Sequence, residues 1–307
     1  MAIPTNVDEN VQIDAIRPYT KGIKFAQVLH ALRHEPRWWC GIILLLFVLT
    51  AIFAPLISPY SPILYHPAVA TQGPSWAHLL GTDDLGRDQL SRVIYGARIS
   101  LTVGLATIIM GGICGTLLGV IGAYSKGWID QVITIVIDAL LSFPSLIFAL
   151  ALVAALGPGI VNMAIALAVV RIPIYARLAR GQTLLIASQD YVTASVVNGT
   201  PPWRILLRHV LPNIFSPILV QATVSISLAI LDESILSFLG LGIQPPTAEW
   251  GTMINDAQQY LRTDPWMMVG PALAVVIVLL SLNLFGDAVR DYLDPRDTTS
   301  MSAPTEK

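Results

Sequence analysis

Three carboxylates, Asp138, Asp232 and Glu233, fall inside long apolar runs of the chain. An ionised carboxylate at mid-bilayer costs ~2.5 to 3.5 kcal/mol on insertion scales, so such groups face a cavity or a partner. The residues themselves leave two readings open. These three could attract a cationic amine or form part of a gate, or they could be satisfied by arginine or backbone groups where helices meet. A second acidic group, Asp83, Asp84 and Asp88, invites calcium, but the twelfth position from Asp83 is Ile94 where an EF-hand loop requires Glu. Of the histidines, His30 and His34 precede the first apolar run, His66 and His78 follow it, and His209 stands alone in a later loop, so no pair forms a metal or catalytic cluster. Cys40 and Cys114 lie in apolar runs without disulfide or metal-ligand spacing and read as packing residues. The chain has no Walker A pattern, hence no nucleotide site of its own. If the chain moves a solute uphill, the energy must arrive through a partner that hydrolyses ATP or through an ion gradient.

One polar island, Ala187 to Asn213, interrupts the apolar runs. Val192 to Asn198 suits a helix end, Gly199 is placed to break that helix in a left-handed conformation, and Thr200 with Pro201 reads as the N-cap and first position of a second helix. The second helix is short: it carries Trp203, Arg204 and Arg208 among Ile205, Leu206 and Leu207, and Pro212 is expected to stop it. An apolar face set with basic residues has the makings of a plug for a partner's groove.

The chain has 307 residues, 54% of them hydrophobic and 12% charged, with a mean hydropathy of +0.65. That composition requires a membrane. The net charge of -2 offers no basic patch for nucleic acid. Six spans are expected, at about residues 40–57, 99–123, 132–156, 160–174, 214–236 and 266–285. Trp38 and Trp39 anchor the entrance of the first, and its distance from the N-terminus argues that it is retained. In the connection after it, Thr82 or Asp83 is expected to cap a helix with Leu90, Val93 and Ile94 on its apolar side. Gly111, Gly115 and Gly119 recur every four residues on one face of the second span and would admit another helix backbone. Pro144 should kink the third span, and Arg171, Arg177 and Arg180 cluster at the far end of the fourth. Of the 18 Lys and Arg residues, Arg87, Arg92, Arg98 and Arg262 fall on one side and the rest on the other. The positive-inside rule then puts both termini and the 187–213 loop in the cytoplasm.

The island resembles the cytoplasmic loop of ABC-importer permeases, whose pattern is Glu-Ala-Ala, three residues, Gly, nine residues, Ile-x-Leu-Pro. Ala194, Gly199, Leu211 and Pro212 fall on it, while Thr193, Ser195 and His209 depart from it. Similarity to the dipeptide and oligopeptide branch covers the chain after about residue 35. It runs through Gly81-Thr-Asp-Asp-Leu-Gly-Arg-Asp88, Tyr175-Ala-Arg-Leu178, Asp190-Tyr-Val192, Ile230-Leu-Asp-Glu233, Ser237-Phe-Leu-Gly-Leu-Gly242, Glu249-Trp-Gly251 and Asn283-Leu-Phe-Gly-Asp287. The chain looks like a C-type permease subunit of that branch. The resemblance implies an all-α polytopic membrane protein of six helices with the type I ABC-importer permease fold, in the bacterial inner membrane. It implies a cytoplasmic segment at 1–39, a first helix and extracytoplasmic segment at 40–98, a five-helix core at 99–290 holding the 187–213 coupling loop, and a cytoplasmic tail at 291–307. Implied partners are a second permease in a heterodimer, two cytosolic ATPases that bind the ATP and Mg, an extracytoplasmic peptide-binding protein, and membrane lipid. The ATPases would engage Ala194, Ser195, Gly199, Pro201, Trp203, Arg204, Arg208 and Pro212. Asp138, Asp232 and Glu233 are the pore or gate candidates, the last two expected at the outer mouth. Cargo would be di- or oligopeptide, with nickel and glutathione as alternatives inside the same architecture. An ion-driven secondary transporter with Asp138 or Glu233 as its proton site is the rival class, against which stand the missing internal symmetry and the single large loop.

Overall fold

The computed structural model describes residues 36–125 and 127–293; residues 1–35, Lys126 and 294–307 lie outside the described residues. With them lie His30, His34, most of the expected N-terminal segment and most of the tail. In hydrocarbon every backbone polar group must be satisfied within the chain, which leaves helices as the solution for long apolar runs. The described residues are accordingly helical: α1 (Trp39–Ile52), a short α2 (Ala54–Ile57), α3 (Gln89–Ser125), α4 (Gly127–Leu141), α5 (Ser145–Leu156), α6 (Ile160–Ala187), α7 (Asp190–Val197), α8 (Pro202–Ile205), α9 (Leu211–Phe238), α10 (Trp250–Ala257) and α11 (Trp266–Leu293). Among them, α3, α6, the stretch from α8 through α9, and α11 are each long and apolar enough to cross a membrane. The pair α4 and α5 makes a fifth crossing if counted together, and α1 is apolar but only 14 residues long.

Several boundaries differ from the sequence reading, each for a physical reason. Helix α3 begins at Gln89, ten residues before the expected span, and at 37 residues is ~55 Å long, well beyond the ~20 residues a bilayer needs. Its start is capped by Asp88, whose Oδ2 accepts from Ser91 N at 2.8 Å and from Ser91 Oγ at 2.6 Å. Thr82 and Asp83 do not cap it: Thr82 bridges to Asp88 as an antiparallel pair, and Asp83 accepts from the backbone of Leu85 and Arg87. At Pro144 the expected kink is a break, with α4 and α5 at 93° to one another, because Pro144 is extended (ψ 125°) and becomes the N-cap of α5. Helix α6 runs 13 residues past Ile174, with Pro173 inside it, so Arg171, Arg177 and Arg180 sit on a helix rather than in a loop. Phe53 separates α1 from α2 within the expected first span.

Helices α3 and α6 form the spine. Gly111, Gly115 and Gly119 of α3 lie against the α6 backbone: a Cβ at Gly111 would stand 2.8 Å from the Ala168 carbonyl, and those at Gly115 and Gly119 would overlap the carbonyls of Ile172 and Ala176. Around the spine pack α5 and the Leu236 end of α9, through Val103, Val153, Met163 and Leu167, and α1, α10 and α11, through Ala51, Trp250, Met253 and Val278. Cys40 is half-buried, and Cys114 is exposed, which departs from its reading as a packing residue; the face of α3 that packs is the glycine face, and Ile113, Cys114 and Leu117 lie off it.

Candidate coupling elbow and gate residues

The elbow is built from a helix stop and a helix restart. Gly199 has φ +75°, Thr200 N donates to Ser195 O at 3.0 Å and Gly199 N donates to Val196 O at 3.0 Å, which is a Schellman closure of α7. Nothing lies within 4 Å of a Cβ at Gly199, so the backbone conformation alone demands glycine there. Pro201 is the N-cap of α8, extended at φ -64° and ψ 145°, and Pro202 is its first residue. The expected cap at Thr200 is thus shifted by one, since a prolyl residue at 202 disfavours the helical region at 201. Pro212 does not stop the second helix. Residues Leu206–Val210 form a π turn that feeds α9, and Pro212 lies where the π register passes into the α register of one continuous helix, Pro202–Phe238.

What the elbow buries and what it presents are opposite faces. Val192, Ile205, Val210 and Ile214 are buried in a cluster with Val120 and Ile186, fastening α7 and α8 to the ends of α3 and α6. Outward point Trp203 at 58% exposure, Val197 at 81%, Leu207 and Val196. The Arg204 guanidinium lies 5.3 Å above the Trp203 ring, and the His209 ring is 5.7 Å from that of Tyr191. Ala194 is exposed, Ser195 is half-buried and donates to Tyr191 O at 2.8 Å, and Arg208 is exposed.

The intramembrane carboxylates meet arginines of α6. Asp232 of α9 pairs with Arg171 at 2.5 Å, with both side chains largely buried. Asp138 of α4 pairs with Arg177 at 2.5 Å on an exposed face, and Asp130 of α4 takes a two-pronged contact from Arg180 at 2.7 Å through each nitrogen. The sequence had placed these arginines together without partners, and the partners lie 39 to 61 residues away. Glu233 behaves differently from its neighbour Asp232: it has no exposed surface, nor has Glu249, and the two carboxyls are neighbours in the core. Glu249 was not singled out from the sequence. Its signal is the run Glu249-Trp-Gly-Thr252 ahead of a short amphipathic helix, where a carboxylate can act as N-cap.

In the connection before α3, the three aspartates are engaged by protein groups. Asp83 pairs with Arg87 at 2.5 Å and with Arg92 at 3.4 Å, and Asp88 lies 2.9 Å from His78 Nδ1. Among the described residues no three His, Cys, Asp or Glu side chains converge as metal ligands.

Comparison with known proteins decides the family. Residues 115–298 match the model of binding-protein-dependent transport system inner membrane components, and residues 28–75 match the N-terminal TM domain of oligopeptide transport permease C. The chain belongs to this family of ABC-importer permeases. It is 44% identical over 299 residues to the dipeptide transport system permease protein DppC of Escherichia coli K12, covering 95% of this chain and 99% of that one. It is 44% identical to the di/tripeptide permease DppC of Pseudomonas aeruginosa, covering 83% of this chain and 86% of the relative. To the glutathione transport permease GsiD of an E. coli O6:K15:H31 strain it is also 44% identical, covering 83% and 85%. In fold it is similar to a chain of the inward-facing MetNI methionine ABC transporter, with TM-score 0.55 and 15% identity over 67% of this chain and 97% of that chain. The permease is a multi-pass membrane protein of the type I importer fold.

Proposed function

We propose that this permease carries di- or oligopeptides across the bacterial inner membrane, with the work supplied by two cytosolic ATPases that dock on the 187–213 elbow. The observation that carries the docking is the split of the elbow: Ile205 and Val192 lock it to α3 and α6, while Trp203, Val197 and Leu207 are left as an apolar ridge flanked by Arg204 and Arg208. Trp and Arg are the residues that most often dominate interfaces. Arg204 and Arg208 make no ion pair among the described residues, so both are available to partner carboxylates. The elbow sits at the end of the α3 and α6 spine, and the close glycine contacts make that spine stiff. A push on α8 is therefore passed along α6 to the Arg177–Asp138 and Arg171–Asp232 pairs, which serve as gate elements that exchange partners between states.

Basic residues favour an orientation with both termini and the elbow in the cytoplasm. A second permease completes the pathway, and an extracytoplasmic binding protein delivers cargo to the opposite face. ATP and Mg reside in the ATPases, for this chain has no phosphate-binding loop. The relatives named for dipeptides, di/tripeptides and glutathione have peptide bonds in common as cargo chemistry, which favours peptide over nickel. The pairing of Asp138 with Arg177 disfavours Asp138 as the proton site of an ion-driven carrier; Glu233, the other candidate for that role, is fully buried. The test is uptake of labelled dipeptide into proteoliposomes holding the full complex. Uptake that requires ATP, the ATPases and the binding protein supports the reading; gradient-driven uptake by this chain alone would overturn it.

A further inference from the structure

Glu233 and Glu249 are the pair of buried ionisable groups that the elbow and the arginine ladder leave without a role. Both carboxyls are fully buried, at 0% exposure each; they lie against each other where α9 meets α10, and Ser234 Oγ donates to Glu233 Oε2 at 3.4 Å. Glu249 is the N-cap of α10: Oε1 accepts from Gly251 N at 2.6 Å and Oε2 from Thr252 N at 2.9 Å. Those bonds commit both of its oxygens to acceptor roles. Glu233 reaches it from α9, with the hydroxyls of Ser100 of α3 and Ser234 beside it and that of Ser237 beside Glu249. Two carboxylates cannot touch in such a site while both are ionised, so the contact requires a proton. Burial also pushes the Glu249 carboxyl above the ordinary carboxylate range, although its two backbone donors pull the other way.

Among the described residues, the other charged groups of the packed elements are engaged elsewhere or exposed: Arg92 of α3 faces Asp83, Arg98 of α3 is exposed, and Asp256 of α10 faces Arg92. Arg171 of α6 faces Asp232. On α11 the charged residues Asp287, Arg290 and Asp291 are all in its last two turns. What the contact joins is specific. A Cβ at Gly251 would overlap the Ser234 carbonyl and stand 2.9 Å from Ser237 Cβ, so the α10 backbone lies directly on α9. Trp250 Nε1 donates to Val93 O at 3.0 Å, and Asn255 Nδ2 donates to Phe238 O at 2.5 Å, tying the same short helix to α3 and to the end of α9.

We infer that Glu233 and Glu249 hold one proton between them and act as positioning residues, with Glu233 as donor and Glu249 as acceptor, fastening α10 onto α9 at the end of the bundle opposite the elbow. The inference deepens the permease reading, because α10 is then a fixed part of the face that receives cargo. Glu233→Gln supplies the donor without a titrating proton, whereas Glu233→Ala supplies none. In the full reconstituted complex, E233Q is expected to retain dipeptide uptake within about twofold of wild type, and E233A to lose most of it. Infrared difference spectra between neutral and strongly alkaline pH should show loss of a protonated-carboxyl C=O band in the wild type that E233Q lacks. The infrared measurement needs no transport and so separates this inference from the permease reading. Identical spectra for wild type and E233Q, or equal loss of uptake in E233Q and E233A at normal complex yield, would overturn it.

Discussion

Gly199 allows the elbow to be tested in graded steps. Its φ of +75° is left-handed, and a Cβ there meets nothing within 4 Å. A substitution therefore changes backbone preference alone. Alanine in this region costs ~1–2 kcal/mol, while asparagine costs less because its short polar side chain tolerates the left-handed region. Proline costs ~3 kcal/mol or more: it fixes φ near -65° and removes the N–H that closes α7 on Val196 O. A penalty of 1–2 kcal/mol shifts a folded ratio by a factor of about 5–30. If the elbow must hold this shape to be gripped, apparent affinity for the ATPases falls by the fraction that no longer holds it. The expected order in peptide-coupled ATP hydrolysis by the reconstituted complex is wild type, then Asn, then Ala reduced by up to about 5–30-fold, then Pro uncoupled. The protein should insert normally in every case, since no buried contact is lost. A proline variant with wild-type coupling would refute the argument, as would Ala and Asn variants in reversed order.

Further outcomes follow from the same geometry. Trp203→Ala should weaken ATPase binding by ~2 kcal/mol or more, the range of an interface hot spot, read as co-purification and as lost uptake; unchanged uptake would remove the docking role. Arg171→Ala leaves Asp232 largely buried beside no cation and should cost ~3–5 kcal/mol of stability, whereas Arg171→Gln with Asp232→Asn should recover most of it in thermal melting of the complex. Gly115→Leu puts a side chain into the Ile172 carbonyl and should destabilise by at least ~1–3 kcal/mol. Gly181→Ala, with nothing near its Cβ and a helical backbone, should be neutral or stabilising by up to about 1 kcal/mol, which makes it the control for the seam.

Much of the bundle was legible from composition and pattern because the bilayer simplifies the problem: an apolar run of about twenty residues has to be helical. Boundaries were not legible where proline sits. Pro173 and Pro212 lie within helices that the sequence reading ended near them, and Pro144 separates two helices it had joined. The same ring is tolerated where the helical hydrogen-bond register changes or packed neighbours cover the gap, and it breaks the chain when the backbone there turns extended. The π turn at Leu206–Val210 carries no compositional mark, so the fusion of elbow and α9 was hidden.

By itself, the sequence determined that the protein crosses a membrane through helices, that it carries no Walker A pattern, and that a glycine stop followed by prolines makes an elbow at 199–202. Each of these depends on a local property, namely hydropathy, a motif or a backbone preference. Tertiary structure alone decided that Arg171, Arg177 and Arg180 answer Asp232, Asp138 and Asp130, and that Glu233 turns inward to Glu249 while adjacent Asp232 faces an arginine. Adjacent residues on a helix point ~100° apart, and which of them meets a partner depends on how far each packed helix is rotated, a quantity set by contacts between segments distant along the chain.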